Sequence, residues 1–252
     1  NTTTSMTQTK IIPIFPLDLV LFPNQHLPLR IFEPRYKQMI DDCMLAEKEF
    51  GVCLADSTKT VSGWQISHNV GTIAKIIDCK DVDSTSGHLL INTKGHRKFR
   101  IIRVIPPILS KPVDYDPYSP NGKEKIDTLH EEVGTSGKMY LQGEVELIDD
   151  IDQLITTEDW QNLVKSWKKK ITALAAPEII SSEQLDLMLE QYYLKTDTPT
   201  LEYVYSLCAL GASSPSELQP ILESTTLEQL IDRCMKCFKY NVNMEHFQPQ
   251  DS

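Results

Sequence analysis

Phe15-Pro-Leu-Asp-Leu-Val-Leu-Phe-Pro-Asn-Gln-His-Leu-Pro-Leu-Arg-Ile-Phe-Glu-Pro-Arg-Tyr-Lys-Gln-Met39 is the stretch on which the fold turns. Four prolines (Pro16, Pro23, Pro28, Pro34) punctuate it, with apolar residues between them. Proline fixes φ and donates no backbone hydrogen bond, so none of the four is expected inside a central strand or a helix interior. The stretch therefore reads, in order, as a strand end, a shaped loop, a short strand and a helix start. So much fixed backbone fits a strand crossing in a small barrel, or a surface that must hold its shape.

Outward from this stretch the bounds are ordinary. The chain has 252 residues, 40% hydrophobic and 24% charged, with a net charge of -10. That fits one large domain or two ordinary ones with a real core. The acidic balance counts against nucleic acid as a partner. The polar opening Asn1 to Lys10 cannot be a signal peptide, and no run of about 18 apolar residues points to a membrane span. Six scattered cysteines without a secretory leader read as reduced thiols in a cytoplasmic protein. The chain opens on Asn1 rather than Met, which fits a start inside a longer gene product or added residues.

Residues 1–9 read as a disordered tail. Lys10 to Phe15 is a strand, and Pro16 to Gln25 a loop dipping Val20, Leu21 and Phe22 into the core. Leu27 to Phe32 is an edge strand carrying Pro28. Pro34 then opens an amphipathic helix to Lys48, with Tyr36, Met39, Ile40, Cys43 and Met44 at helical spacing. Phe50 to Ala55 is a buried strand, and Asp56 to Asn69 a polar loop containing Trp64. Val70 to Cys79, His88 to Thr93 and Arg97 to Ile105 are strands, with Lys94-Gly95 as a turn between the last two. Residues 107–138, rich in proline, read as an insertion, mobile in part, with a short helix over Lys123 to Glu132. Met139 to Ile148 alternates and returns to the sheet. From Asp149 the period becomes helical: Glu158 to Ala175, Ser181 to about Lys195, Thr198 to about Leu210 with Gly211 as the stop, a short helix from Ser214, and Thr225 to about Tyr240. Strands first and helices afterwards give an α+β chain: a β-domain over 10–150 and a helical bundle over 151–247.

The opening stretch also resembles the N-terminal, substrate-recognition domain of the Lon protease family. Pro16-Leu17, Leu21-Phe22-Pro23, Leu27-Pro28-Leu29 and Ile31 to Tyr36 fit that family's pattern. Gly71 to Ile76, Lys94 to Ile101 and Tyr140 to Val145 fit its later strands, and Ser216 to Cys234 its bundle. The resemblance covers about residues 10 to 245, with 107–138 as a departure. It implies a PUA-like antiparallel β pseudo-barrel followed by an α-helical bundle, and a role in holding protein substrates or partners. The P-loop ATPase and Ser-Lys dyad of full-length Lon proteases are not found. The nearest string, Gly134 to Met139, lacks the phosphate-loop spacing and the hydroxyl ligand for magnesium. The chain thus reads as a free-standing member or an excised domain.

Each sharper reading has a plainer one beside it. Cys234-Met235-Lys236-Cys237 has no second ligand pair for zinc, so structural thiols are expected. His68, Cys79, His88 and His96 match no metal spacing. Lys165, Lys168, Lys169 and Lys170 around Trp167 could touch nucleic acid or anionic lipid, but a solvated helix face is the expectation. Arg97, Lys98, Arg100 and Arg103 on one strand read as a solubilising sheet face or a partner contact. Glu33 and Arg35 flank Pro34, and with Phe32 and Tyr36 they form either a locked turn or a recognition surface. No nucleophile, base or paired carboxylate has an identifiable partner. The reading is therefore a non-catalytic module, without cofactor or metal, that binds exposed apolar or extended protein segments. Its candidate site is Phe32, Glu33, Pro34, Arg35 and Tyr36, with the cleft between barrel and bundle as a further place for a partner. RNA binding through a PUA-like fold, or an enzyme of unknown type, are the alternatives. Partner identity and oligomeric state are left open.

Overall fold

A computed structural model describes residues 8–82, 87–134, 136–175 and 180–239. The expectations for the tail before residue 8, for Tyr240 and for the bundle beyond it lie outside the described residues. Two units emerge, Asn1–Asp150 and Ile151–Ser252.

Among the described residues the first unit holds β1 (Thr9–Leu17), β2 (His26–Ile31), α1 (Pro34–Met44), β3 (Glu49–Val61), β4 (Trp64–Ser67), β5 (Val70–Asp81), β6 (Leu89–Ile105), α2 (Pro120–Val133) and β7 (Gln142–Ile148). The strands form a ring in the order β1-β7-β6-β5-β3, which closes because β3 also pairs with β1. Every pairing is antiparallel except that closure. β1 divides its partners: Thr9 to Pro13 lie along β7, and Ile14 to Leu17 run parallel to Gly51 to Leu54 of β3. A closed ring removes the unpaired edges that invite aggregation. This is the α+β pseudo-barrel with a following set of helices that the opening stretch announces.

Three local expectations are corrected. Pro16 lies inside β1, opposite Cys53. It is tolerated because there β1 pairs with β3 alone, leaving the proline nitrogen without a ladder to serve. Asp56 to Asn69 is a hairpin, not a loop: β3 runs on to Val61 and turns through Ser62 (φ 49°) and Gly63 (φ 79°) into β4. Two successive left-handed residues are what a tight two-residue hairpin needs. Finally, Lys94-Gly95 is not a turn, since β6 is one strand of 17 residues. Gly95 is there because the Phe22 carbonyl crosses directly over it, where a Cβ would collide. Gly95 also donates to Gln25 O and accepts from Asn24 N, both at 2.8 Å. The loop Pro16 to Gln25 is thereby pinned to β6, with Val20, Leu21 and Phe22 buried.

Alternation fills the ring. Ile12, Ile14, Cys53, Ile73, Phe99, Ile101, Leu141 and Val145 form one apolar cluster. A second joins Phe15, Leu21, Ile31, Phe50, Val52 and Ile76 to Met39, Ile40 and Cys43 of α1. Pro34 occupies the first turn of α1, where a missing N–H costs nothing. The 107–138 segment packs around a small centre of its own, in which Trp64, Ile126 and Met139 are buried against Leu109 and Tyr115. Gln38 of α1 holds its end, donating to Gly137 O at 2.8 Å and accepting from Met139 N at 2.7 Å.

The second unit holds α3 (Thr157–Leu174), α4 (Ser182–Gln191), α5 (Leu201–Gly211), α6 (Pro215–Leu222) and α7 (Leu227–Phe238) among the described residues. Hydroxyl caps start three of them. Thr156 and Thr226 accept from the backbone of Asp159 and Gln229, and Ser181 with Gln184 completes a reciprocal capping box. The core is Trp160, Leu163 and Trp167 of α3, Val204, Leu207 and Cys208 of α5, and Leu230, Cys234 and Phe238 of α7. Gly211 does more than end α5. A Cβ there would stand 2.6 Å from the Phe238 ring and 2.7 Å from Trp167, so glycine lets the two rings meet over the helix end.

Candidate functional site

The corner predicted from Phe32 to Tyr36 is built by the end of β2 and the first turn of α1. Glu33 is the N-cap residue, yet its side chain caps nothing. Its carboxylate instead accepts from the Tyr115 hydroxyl at 3.3 Å and faces the Arg35 guanidinium at 3.5 Å. Arg35 is 8% exposed. Its guanidinium lies over the Trp64 ring, 3.7 Å from the centroid, and 4.8 Å from the Tyr36 centroid. Its Nη2 donates to the Tyr36 hydroxyl at 3.3 Å. Tyr36 in turn stacks on Phe15 at 4.1 Å. Trp64 is fixed by donating its indole N–H to Leu109 O at 2.8 Å and by the edge of Tyr115 at 5.3 Å.

The result is a cation between aromatic faces, under a strap supplied by residues 109–117. Desolvation strengthens such a contact to about 2 kcal/mol. Burial pushes the Tyr36 phenol up, and burial followed by the Glu33 charge does the same to Tyr115. Both phenols therefore stay neutral, Tyr36 accepting from Arg35 and Tyr115 donating to Glu33. Beside the stack opens a recess of about 200 Å³, lined by Pro16, Arg35, Tyr36, Trp64, Tyr115 and Pro117. Arg35 Nε is buried with no hydrogen-bond partner among the described residues.

The structure thus brings Glu33, Arg35 and Tyr36 together, with Pro34 setting the turn. Phe32 points elsewhere. It stacks on the exposed Tyr118 at 5.0 Å, with the His88 ring 6.1 Å away and the Lys123 ammonium 5.8 Å from its centroid. Trp64, Tyr115 and Tyr118 were not anticipated. Their only trace in the sequence is aromatic residues standing in otherwise polar stretches.

Residues 11–239 match the family of the ATP-dependent protease La (Lon) substrate-binding domain. The chain belongs to this family. Among solved structures it is similar to a Lon N-terminal domain protein from Xanthomonas campestris, at 24% identity and a TM-score of 0.54, covering 88% of this chain and 98% of that one. It is also similar to the N-terminal domain of the Mycobacterium avium complex Lon protease, at 14% identity and a TM-score of 0.53, covering 91% and 98%. These likenesses establish a shared fold.

On this Lon-family fold the other candidate groups have plain places. Arg97, Arg100 and Arg103 pair with Asp149, Glu146 and Glu144 at 2.7, 3.2 and 3.0 Å, and Lys98 is buried 3.4 Å from Asp150. The basic row is a set of ion pairs with the last strand and its end. Lys138, within the Gly134 to Met139 string, pairs with Asp42 at 2.8 Å. Thr135 of that string lies outside the described residues. Cys234 and Cys237 are buried in α7, and burial pushes the Cys237 thiol up to about 11, which keeps it protonated and unreactive. No three His, Cys, Asp or Glu side chains are grouped as a metal site among the described residues, and no helix there is long and apolar enough to cross a membrane. Lys170 departs from the expected solvated face: it is 2% exposed.

The stack makes a stability prediction. Arg35→Ala is expected to lower the unfolding free energy by about 2 kcal/mol. Arg35→Lys should recover less than half of that, because an ammonium cannot lie flat between two rings. Urea unfolding of the three proteins reads the difference.

Proposed function

We propose that the chain is a non-catalytic recognition module of the Lon type that binds extended, apolar segments of other proteins. The observation that carries this reading is the aromatic-walled recess beside Arg35. The recess has room for about one large apolar side chain. Phe32 and Tyr118 add an outward aromatic face next to the corner. Nothing in this arrangement activates a nucleophile; it positions and grips. A cytoplasmic setting with reduced thiols agrees with six free cysteines. The paired arginines of β6 give RNA little free charge to find.

The test uses a permanently unfolded protein, reduced and carboxymethylated lactalbumin, labelled for fluorescence anisotropy. Binding is expected, and Glu33→Ala and Arg35→Ala should each weaken it about tenfold at a temperature where both variants remain folded. Undiminished binding by the folded variants would make the corner scaffold alone. Labelled RNA is expected to show no salt-dependent shift.

A further inference from the structure

A groove of about 830 Å³ in the second unit runs between α3 and α4 and belongs to neither the corner nor its chemistry. Trp160, Val164, Leu185, Leu189 and Leu194 line it with apolar surface. Four lysines stand around that lining: Lys165, Lys168 and Lys169 on α3, and Lys195 after α4. Lys168 reaches across to Asp186 of α4 at 2.6 Å. That hydrogen bond, with the charges of Lys168 and Lys195, holds the Asp186 carboxyl below its usual range. Lys165 and Lys169 are exposed and have no ion-pair partner among the described residues. Among the described residues that line the groove, only Asp186 and Asp197 oppose the four lysines. A local cationic excess of this kind stands out in a chain whose net charge is -10.

We propose that this groove docks an acidic amphipathic helix of a partner protein. Apolar side chains along one face of such a helix would cover Val164 and the leucines, and its carboxylates would meet Lys165 and Lys169 at the rim. The dimensions agree: from Trp160 to Ala173 the α3 wall is about 20 Å long, close to four helical turns, and the volume lies within the range of built binding sites. Charge selects the occupant. A basic helix would face two unpaired lysines, whereas an acidic one is steered toward them. The inference rests on the reading of the chain as a protein-recognition module, and adds a second site with its own preference.

A fluorescently labelled peptide of about four turns, leucines on one face and glutamates on the other, serves as the probe. It is expected to bind the full chain, more weakly as salt rises. A twin with lysines for glutamates, and a scrambled twin without an apolar face, should bind at least about tenfold more weakly. Lys165→Glu combined with Lys169→Glu should cost a further loss of about tenfold in affinity for the acidic helix. Both positions are exposed, so circular dichroism is expected to show an unchanged fold. The same variant should bind unfolded lactalbumin as the parent does, because that binding is assigned to the corner around Arg35. No binding of the acidic helix, equal binding of the scrambled twin, or indifference to the double charge reversal would each overturn the proposal. Loss of lactalbumin binding alone would overturn the corner and leave the groove standing.

Discussion

Phe99→Ala is expected to lower the stability of the barrel by about 4 kcal/mol, among the largest effects of any single substitution in the chain. Phe99 is fully buried within the ring of strands. Two glycines yield their space to its ring: a Cβ at Gly51 would come within 2.6 Å of Phe99 Cζ, and one at Gly71 within 2.8 Å. One aromatic ring therefore does the filling for three positions on three strands, and removing it leaves a cavity that rigid strands cannot collapse around. The converse substitution is expected to hurt nearly as much. Gly71→Ala would press on Cys53 Sγ at 2.5 Å and, more closely, on the Val52 carbonyl. A backbone oxygen cannot swing aside, so the strain should cost about 3 kcal/mol. Because Gly71 pairs directly with Phe99 across β5 and β6, Phe99→Leu should relieve part of the Gly71→Ala penalty, a coupling that a double-mutant cycle measures. Hydrogen exchange read by mass spectrometry separates the barrel peptides from the helices. Additive penalties would mean that the ring does not fill the glycines' space.

Glu217→Ala is expected to cost the helical unit about 3 kcal/mol, and Lys170→Met clearly less. The Lys170 ammonium is buried beneath α6 and α7, donating to Glu217 Oε2 at 3.1 Å and to Cys237 O at 2.8 Å. Glu217 Oε2 also accepts from Ser213 N at 2.6 Å. Deleting the carboxylate strands a buried cation beside one carbonyl, the situation in which broken pairs are most expensive. Methionine at position 170 fills a similar volume without charge. The Glu217 side chain, 34% exposed, can then turn to water, which also moderates the first figure. Thermal unfolding of the two variants decides the order. If Lys170→Met proves the worse, water reaches the ammonium and the pair is ordinary surface chemistry.

The opening stretch announced its architecture because its prolines and apolar residues act locally. Pro34 starts a helix, Pro28 marks an edge, and Val20 to Phe22 are apolar in a loop that must fold inward. Capping residues act locally too, and Ser181 with Gln184 was readable for that reason. What escaped depends on residues distant in sequence. Trp64 looked like a loop residue because its cover, Leu109 and Tyr115, comes more than 40 positions later. Gly95 looked like a turn because glycine between polar residues reads that way; the crossing Phe22 carbonyl that requires it is invisible in the linear chain. Lys170 sat in a run of lysines, and only the packing of α6 and α7 separates it from its neighbours. The candidate site was half legible for the same reason. Glu33, Arg35 and Tyr36 lie within four successive residues, while the aromatic walls that turn them into a recess come from β4 and the 109–117 strap.

The antiparallel pairing of β1 with β7 sets a timetable for synthesis. β1 leaves the ribosome long before β7, and its first half has no partner until Gln142 to Ile148 of β7 arrive. At 5–20 residues per second, that wait is on the order of ten seconds. Through that interval Ile11 and Ile12 belong to an open edge, and the nascent chain is itself an extended apolar segment of the kind this module is proposed to hold. A chain released before residue 142 would keep that edge indefinitely, so premature termination upstream of β7 should yield aggregates or degradation rather than a smaller folded barrel.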